Sequence, residues 1–256
     1  MRNLSKHFWR KLIVGSAIGL GVVVAATLVT VIAVFPAAAA VACPNCYGFA
    51  RVAPHLYVER DADPAQRAKA EDVVTQGRGR VASFYGGLSG NPRVLICVSD
   101  DCYRRFGGGS RGMAILTFGL FLAPRGITPV IAAHELSHIE LHRRLGLVRF
   151  MRHAVPQWFD EGVAVVVSDD PRYLAPVSSA DRCLVAPDGD LPTNRAAWVE
   201  TASHDETYAK AACRVSRWMA QKGGSASVVA LLRQVGDGVS FNTAYAKPQA
   251  AKSQPD

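Results

Sequence analysis

Apolar and polar positions follow two different periods along this chain, and one long stretch follows none. Between residues 12 and 35 there is no charged residue. At 1.5 Å rise per residue that run makes a helix of about 36 Å, long enough to cross a bilayer core. Shorter patterned segments follow. Residues 52–59 read as a strand. Pro64–Tyr85 reads as a helix with Asp63 as its cap and Pro64 in its first turn, ended by Gly86, Gly87 and the Ser89-Gly90-Asn91-Pro92 stretch. Residues 93–99 predict a second strand, 100–106 a short helical turn, and 114–123 an apolar strand weakened by Gly119. Thr128 and Pro129 then open a helix that runs to about Leu145. Beyond Thr201, apolar positions three to four residues apart (Tyr208, Ala211, Val215, Trp218) predict helices over 205–221 and 225–235. The expected organisation is a basic flank 1–11, a membrane-spanning segment 12–35, a linker 36–50, one domain over 51–241 and a disordered tail 242–256.

The helix that starts at Thr128 carries the chemistry. His134-Glu135-Leu136-Ser137-His138 is an H-E-x-x-H stretch. In a helix, positions four apart share a face, so the two imidazoles can bind one zinc ion. Glu135 flanks the ion and is placed to take a proton from a water polarised by it. His142 is turned about 80° from His134, which suits a surface histidine or one that supports another residue.

A catalytic zinc site needs a third protein ligand and an open fourth position. The metzincin pattern is excluded, because Arg144 stands where its third histidine belongs and Leu141 where its glycine belongs. No upstream E-G-C-L-type stretch offers a cysteine, as a deformylase-like site would require. Downstream, however, lies Pro156-Gln157-Trp158-Phe159-Asp160-Glu161-Gly162-Val163-Ala164.

The two motifs together resemble the gluzincin zinc metallopeptidases, in particular their short peptidase-MA-like domains. That resemblance implies His134, His138 and Glu161 as zinc ligands and Glu135 as general base. It further implies an α+β catalytic domain: a mixed sheet plus the active-site helix, then a helical C-terminal half. In that family the strand before the motif helix borders the cleft and pairs with substrate, which would be 114–123 here. Such domains often bring a tyrosine to the site, which makes Tyr208 the candidate oxyanion donor, with His204 as its neighbour. Gly162 and Ala164 are small enough to let the two site helices approach, with Trp158 and Phe159 wedging that contact. The thermolysin-like aspartate four residues after the glutamate ligand is replaced by Val165. Support for the first histidine must come from elsewhere, Asp160 being one candidate.

Charge and cysteines bear on compartment. Lys and Arg number 29 against 21 Asp and Glu, a formal net charge of +8. Four of the basic residues (Arg2, Lys6, Arg10, Lys11) sit in the flank before the apolar run and account for half of that excess. They orient the remainder across the membrane by the positive-inside rule. Small residues at Ala37 to Ala40 would equally suit signal cleavage, and Ala40-Val41-Ala42-Cys43 is loosely lipoprotein-like, so anchor, cleaved signal and lipoprotein stay open. All three export the domain to the periplasm or extracellular space. The remaining surplus shows no basic stripe with interleaved aromatics, so nucleic-acid binding is not expected. Six cysteines suit an oxidising compartment, and fifteen pairings among them are possible. Cys43-Pro44-Asn45-Cys46 fits a structural disulfide better than a redox or zinc-knuckle role. The charged motif helix and the lack of any later spanning run argue against an intramembrane protease. The expectation is a membrane-tethered zinc peptidase acting on peptide or protein substrates. The alternative is a non-catalytic envelope protein that uses a structural zinc site to bind partners.

Overall fold

The computed structural model describes residues 34–202 and 206–247. The flank 1–11, residues 12–33 of the apolar run, His204 and residues 248–256 of the expected tail lie outside them. Among the described residues, no helix is long and apolar enough to cross a membrane.

Chain order gives α1 (Pro36–Ala42), β1 (Phe49–Ala53), β2 (Leu56–Glu59), α2 (Pro64–Tyr85), β3 (Arg93–Ile96), α3 (Asp100–Arg105), β4 (Gly112–Ile115), β5 (Gly119–Leu122) and α4 (Pro129–Leu145). A helical half follows: α5 (Leu147–Met151), α6 (Gln157–Ser168), α7 (Arg195–Thr201), α8 (Thr207–Lys222), α9 (Ser225–Gly236) and α10 (Phe241–Ala246). The architecture is α+β. Its mixed sheet has the order β1-β2-β3-β5-β4, with β2, β3 and β5 parallel and an antiparallel hairpin at each edge.

Both hairpins divide a segment whose sequence reads as one strand. Residues 52–59 turn at Pro54 and His55, and 114–123 turn at Leu116 to Phe118. The left-handed conformation falls on His55 (φ 61°) and Leu116 (φ 50°), residue types that seldom announce such a turn. The third strand is also shorter than 93–99. It leaves the ladder after Ile96, and Val98 and Ser99 donate their N–H groups to the Glu59 carboxylate instead, each at 2.9 Å.

Successive residues of a strand face opposite sides of the sheet, and here each side has its own core. Val94, Ile96, Leu120 and Leu122 join α2, α4 and the later helices. Leu95, Cys97 and Phe121 face Ala37, Ala40 and Val41 of α1, together with Phe49 and Phe106. A sheet buried on both faces needs continuous apolar strands, which is why 93–99 and 119–122 lack a polar alternation. Residues 36–50 are therefore not a mere linker. Pro36 starts α1, its alanines favour helix, and its buried side covers the second face of the sheet.

The tail also needs correcting at its start. Residues 242–246 belong to α10, because Phe241 and Tyr245 stack into the apolar end of α6. Phe159 lies 5.1 Å from Phe241, and Trp218 lies 5.0 Å from Tyr245, ring centre to ring centre. Trp158 and Phe159 thus also bind the C-terminal helices.

Helix bounds follow local chemistry closely. Asp63 and Gln66 form a reciprocal cap at the start of α2, with bonds of 2.8 and 2.9 Å. At Gly77 a Cβ would meet the Ala132 Cβ at 2.8 Å, so α2 lies directly on α4. Gly162 serves a different contact from the expected one. A Cβ there would lie 2.6 Å from the Ala211 oxygen, so the missing side chain brings α6 close to α8, not to α4.

The described cysteines are all paired: Cys43–Cys46, Cys97–Cys102 and Cys183–Cys213. The third bond ties the irregular 169–194 segment to α8.

Candidate metal centre and cleft

Thr128 caps α4 by accepting a hydrogen bond from the Ile131 N–H at 3.2 Å, and the helix runs to Leu145 before Gly146 turns the chain. Residues 131–142 of this helix are buried without interruption. It is therefore a central element, and its polar groups need partners inside the protein.

His134 and His138 meet Glu161 of α6. The His134 and His138 Nε2 atoms are 3.1 Å apart. Glu161 Oε2 lies 3.3 Å from the first and 3.5 Å from the second. Tetrahedral ligands held at about 2.0–2.1 Å from a zinc ion lie about 3.3–3.4 Å from one another. The donor triangle matches that spacing.

Hydrogen bonding strengthens the fit. His138 Nδ1 stands 2.8 Å from Asp160 Oδ1 and donates to it, which turns Nε2 inward. Gln157 Nε2 donates to Glu161 Oε1 at 3.0 Å, whereas the buried Oε2 has no hydrogen-bond partner. A buried carboxylate oxygen aimed at two ring nitrogens calls for a cation between them. His134, His138 and Glu161 are the residues that could hold it.

Asp160 is where the acidic support lies, and it supports the second histidine rather than the first. Its Oδ2 is also 2.8 Å from His142 Nε2, while His142 Nδ1 lies 3.3 Å from the Leu116 carbonyl oxygen. His142 is buried, stacked on Phe150 with ring centres 4.0 Å apart. Burial opposes the charge on Asp160, yet the two imidazoles hold its carboxyl far below the usual carboxylate range. Burial opposes the charge on Glu161 too, and His138 and His134 hold its carboxyl down to about 2.

Glu135 behaves differently. Burial pushes its carboxyl up, with the imidazoles of His134 and His138 opposing. Its side chain lies against the β4 backbone, where a Cβ at Gly112 would sit 2.5 Å from its Cγ. A larger residue at the start of the edge strand would displace this carboxylate. That dependence has no signature in the sequence.

His134 and Glu135 open into a cleft of about 310 Å³ bordered by Gly112, Tyr173, Tyr208 and three arginines. A larger hollow of about 550 Å³, near Asp188 and Lys210, contains none of the donor residues. Chemistry, not size, selects the smaller one. Tyr208 sits in the cleft with its ring centre 6.3 Å from that of His134 and stacks on Tyr173 at 5.0 Å. Burial, and then the nearby Glu161 carboxylate, push its phenol well up, so the hydroxyl keeps its proton and can donate. His204 lies outside the described residues.

The edge strand beside the cleft is β4, so the expected rim strand 114–123 contributes only its first part there; β5 is an inner strand. Among the described residues, the groups of His, Cys, Asp or Glu that could share a metal ion are His134–His138–Glu161 and His138–His142–Asp160. No protein-family model matches this chain, and no curated protein or solved structure gives a significant match.

Proposed function

We propose that this protein is a zinc-dependent peptidase of gluzincin type, hydrolysing peptide bonds at His134, His138 and Glu161. The observation that carries the reading is the orphaned Glu161 Oε2 facing two inward imidazole nitrogens, beside a cleft that also exposes Glu135. Zinc held there supplies a Lewis acid that lowers the pKa of water to roughly 7 and polarises a carbonyl.

The protein's own groups do the rest. Glu135, its proton affinity raised by burial, takes a proton from the attacking water and returns it to the leaving amine. Tyr208 donates to the oxyanion as it forms. Asp160 keeps His138 in the tautomer that points Nε2 inward, and Gln157 steadies Glu161. The free edge of β4 pairs with an extended peptide backbone, which makes recognition tolerant of sequence.

Three protein donors converge at this point among the described residues, whereas a purely structural zinc site closes with four. That favours catalysis over the non-catalytic envelope scaffold. The same reading puts the domain outside the cytoplasm, tethered by the apolar run 12–35 or released after cleavage. The three disulfides support an oxidising compartment.

The test is zinc content and peptide hydrolysis of the full-length chain, wild type beside Glu161→Ala and Glu135→Gln. The expected pattern is one zinc and cleavage in wild type, zinc lost in the first variant, and zinc kept but cleavage lost in the second. Zinc without cleavage in wild type would transfer the case to the structural-scaffold reading. No zinc at all would end both.

A further inference from the structure

We infer that the cleft selects peptides carrying a carboxylate beside the scissile bond, seated by Arg111 with help from Arg125. This rests on the peptidase reading and names its substrate class.

The three arginines of the cleft are not equivalent. Arg172 donates from Nε to both oxygens of the buried Asp170, at 2.9 and 3.1 Å, so its charge is matched. Arg125 donates to the carbonyl oxygens of Gly109 and Ser110, at 2.5 and 3.2 Å. Those bonds orient its guanidinium without neutralising it. The exposed Arg111 side chain lines the cleft and forms no salt bridge with a described residue.

Arg111 is nonetheless fixed at its root. Its carbonyl accepts from the Ala123 N–H at 2.9 Å, and a Cβ on Gly126 would fall 1.8 Å from that oxygen. The next residue, Gly112, is the one against which Glu135 packs. A guanidinium on a rigid base therefore lines the same cleft as the general base.

Among the described residues, Glu135 is the single carboxylate lining this cleft, and its role as a proton acceptor leaves it unavailable as a partner for an arginine. Two unmatched guanidinium groups at the mouth repel a basic substrate and offer forked donors to a carboxylate, which they can bind in a bidentate manner. The carboxylate can come from an acidic side chain or from a peptide C-terminus.

The experiment uses the zinc-loaded full-length chain in detergent. Its probes are internally quenched peptides bearing Glu, Gln or Lys at each position flanking the cleaved bond, with free or amidated C-termini. Glu peptides should show a KM roughly tenfold below their Gln counterparts, as expected for hydrogen bonds to a charged group. The advantage should shrink as salt rises. A preference confined to free C-termini would assign the seat to the chain end instead of a side chain. In Arg111→Gln the Glu-to-Gln ratio should fall towards one, and Arg111→Lys should retain part of it.

Equal KM values for Glu and Gln peptides and for free and amidated ends, or a ratio unmoved by Arg111→Gln, would overturn the inference while leaving the peptidase intact. Binding of labelled Glu and Gln peptides to Glu135→Gln, read by anisotropy, separates the two failures. Selective binding without cleavage by wild type would keep the anionic seat and remove the peptidase.

Discussion

Two clusters made of the same parts lie side by side in this molecule and share one residue. His134, His138 and Glu161 form one; His138, His142 and Asp160 form the other. Each has two imidazoles and a carboxylate, and each is buried. They differ in where the protons are. In the second cluster both Asp160 oxygens accept a 2.8 Å hydrogen bond, so neither is left without a partner. In the first, Glu161 Oε2 faces the two inward Nε2 atoms at 3.3 and 3.5 Å and has no hydrogen-bond partner. Composition alone would rank the two clusters equal as metal sites. Hydrogen-bond accounting separates them: one leaves a buried carboxylate oxygen without a partner, the other does not.

Variants can break that distinction, and the largest effect should come from the first cluster. Glu161→Ala should abolish stoichiometric zinc binding, measured as metal per protein after dialysis. If zinc survives there, bound instead by the second cluster, the assignment of roles is reversed. Tyr208→Phe keeps the ring stacked on Tyr173 but removes the donor. It should lower kcat by about 10²-fold, within the range for one lost oxyanion donor, with zinc content unchanged. A change in KM alone would make Tyr208 a wall of the cleft.

Asp160→Asn should weaken zinc binding by roughly 10- to 100-fold, as for other partners of ligating histidines, without eliminating it. Chelator competition reads that directly. Unchanged affinity would mean that Asp160 does not set the orientation of His138. The smallest effect should follow His142→Phe, which retains an aromatic ring against Phe150 and removes one of two bonds to Asp160. A loss of about threefold in zinc affinity is expected, a fraction of the effect of removing the carboxylate charge itself. If instead wild type binds two zinc ions and His142→Phe binds one, the supporting cluster is a second metal site.

A different test addresses the frame that holds Tyr208. Cys183–Cys213 anchors the segment carrying Tyr173 to α8, across a sequence separation of 30. Replacing both cysteines by serine should reduce stability by about 3–4 kcal/mol from loop entropy, seen as a lower midpoint in denaturant unfolding.

The helix α4 was legible from end to end, because Thr128, Pro129 and Gly146 act on groups within a turn of themselves. The same holds for α2, whose reciprocal cap joins residues three apart. The hairpins were not legible. Their turns place His55 and Leu116 at positive φ, a conformation imposed by the sheet on residues that do not favour it. α10 was hidden for a related reason. Six residues are too few to be helical alone, and this segment is held by the stacking of Phe241 and Tyr245 on aromatic rings from α6 and α8.

What this chain determined by its sequence alone is the arrangement that helical periodicity carries: His134 and His138 on one face, Glu135 beside them, Glu161 on a second helix. Those relations need only a rise and a turn per residue. The tertiary structure decided which of two acidic neighbours faces the metal site and which supports a histidine. It also decided that Glu135 packs against Gly112, and that Arg111 lines the cleft beside it. Such relations depend on how separate elements pack, and each is fixed by distances between residues far apart in the chain.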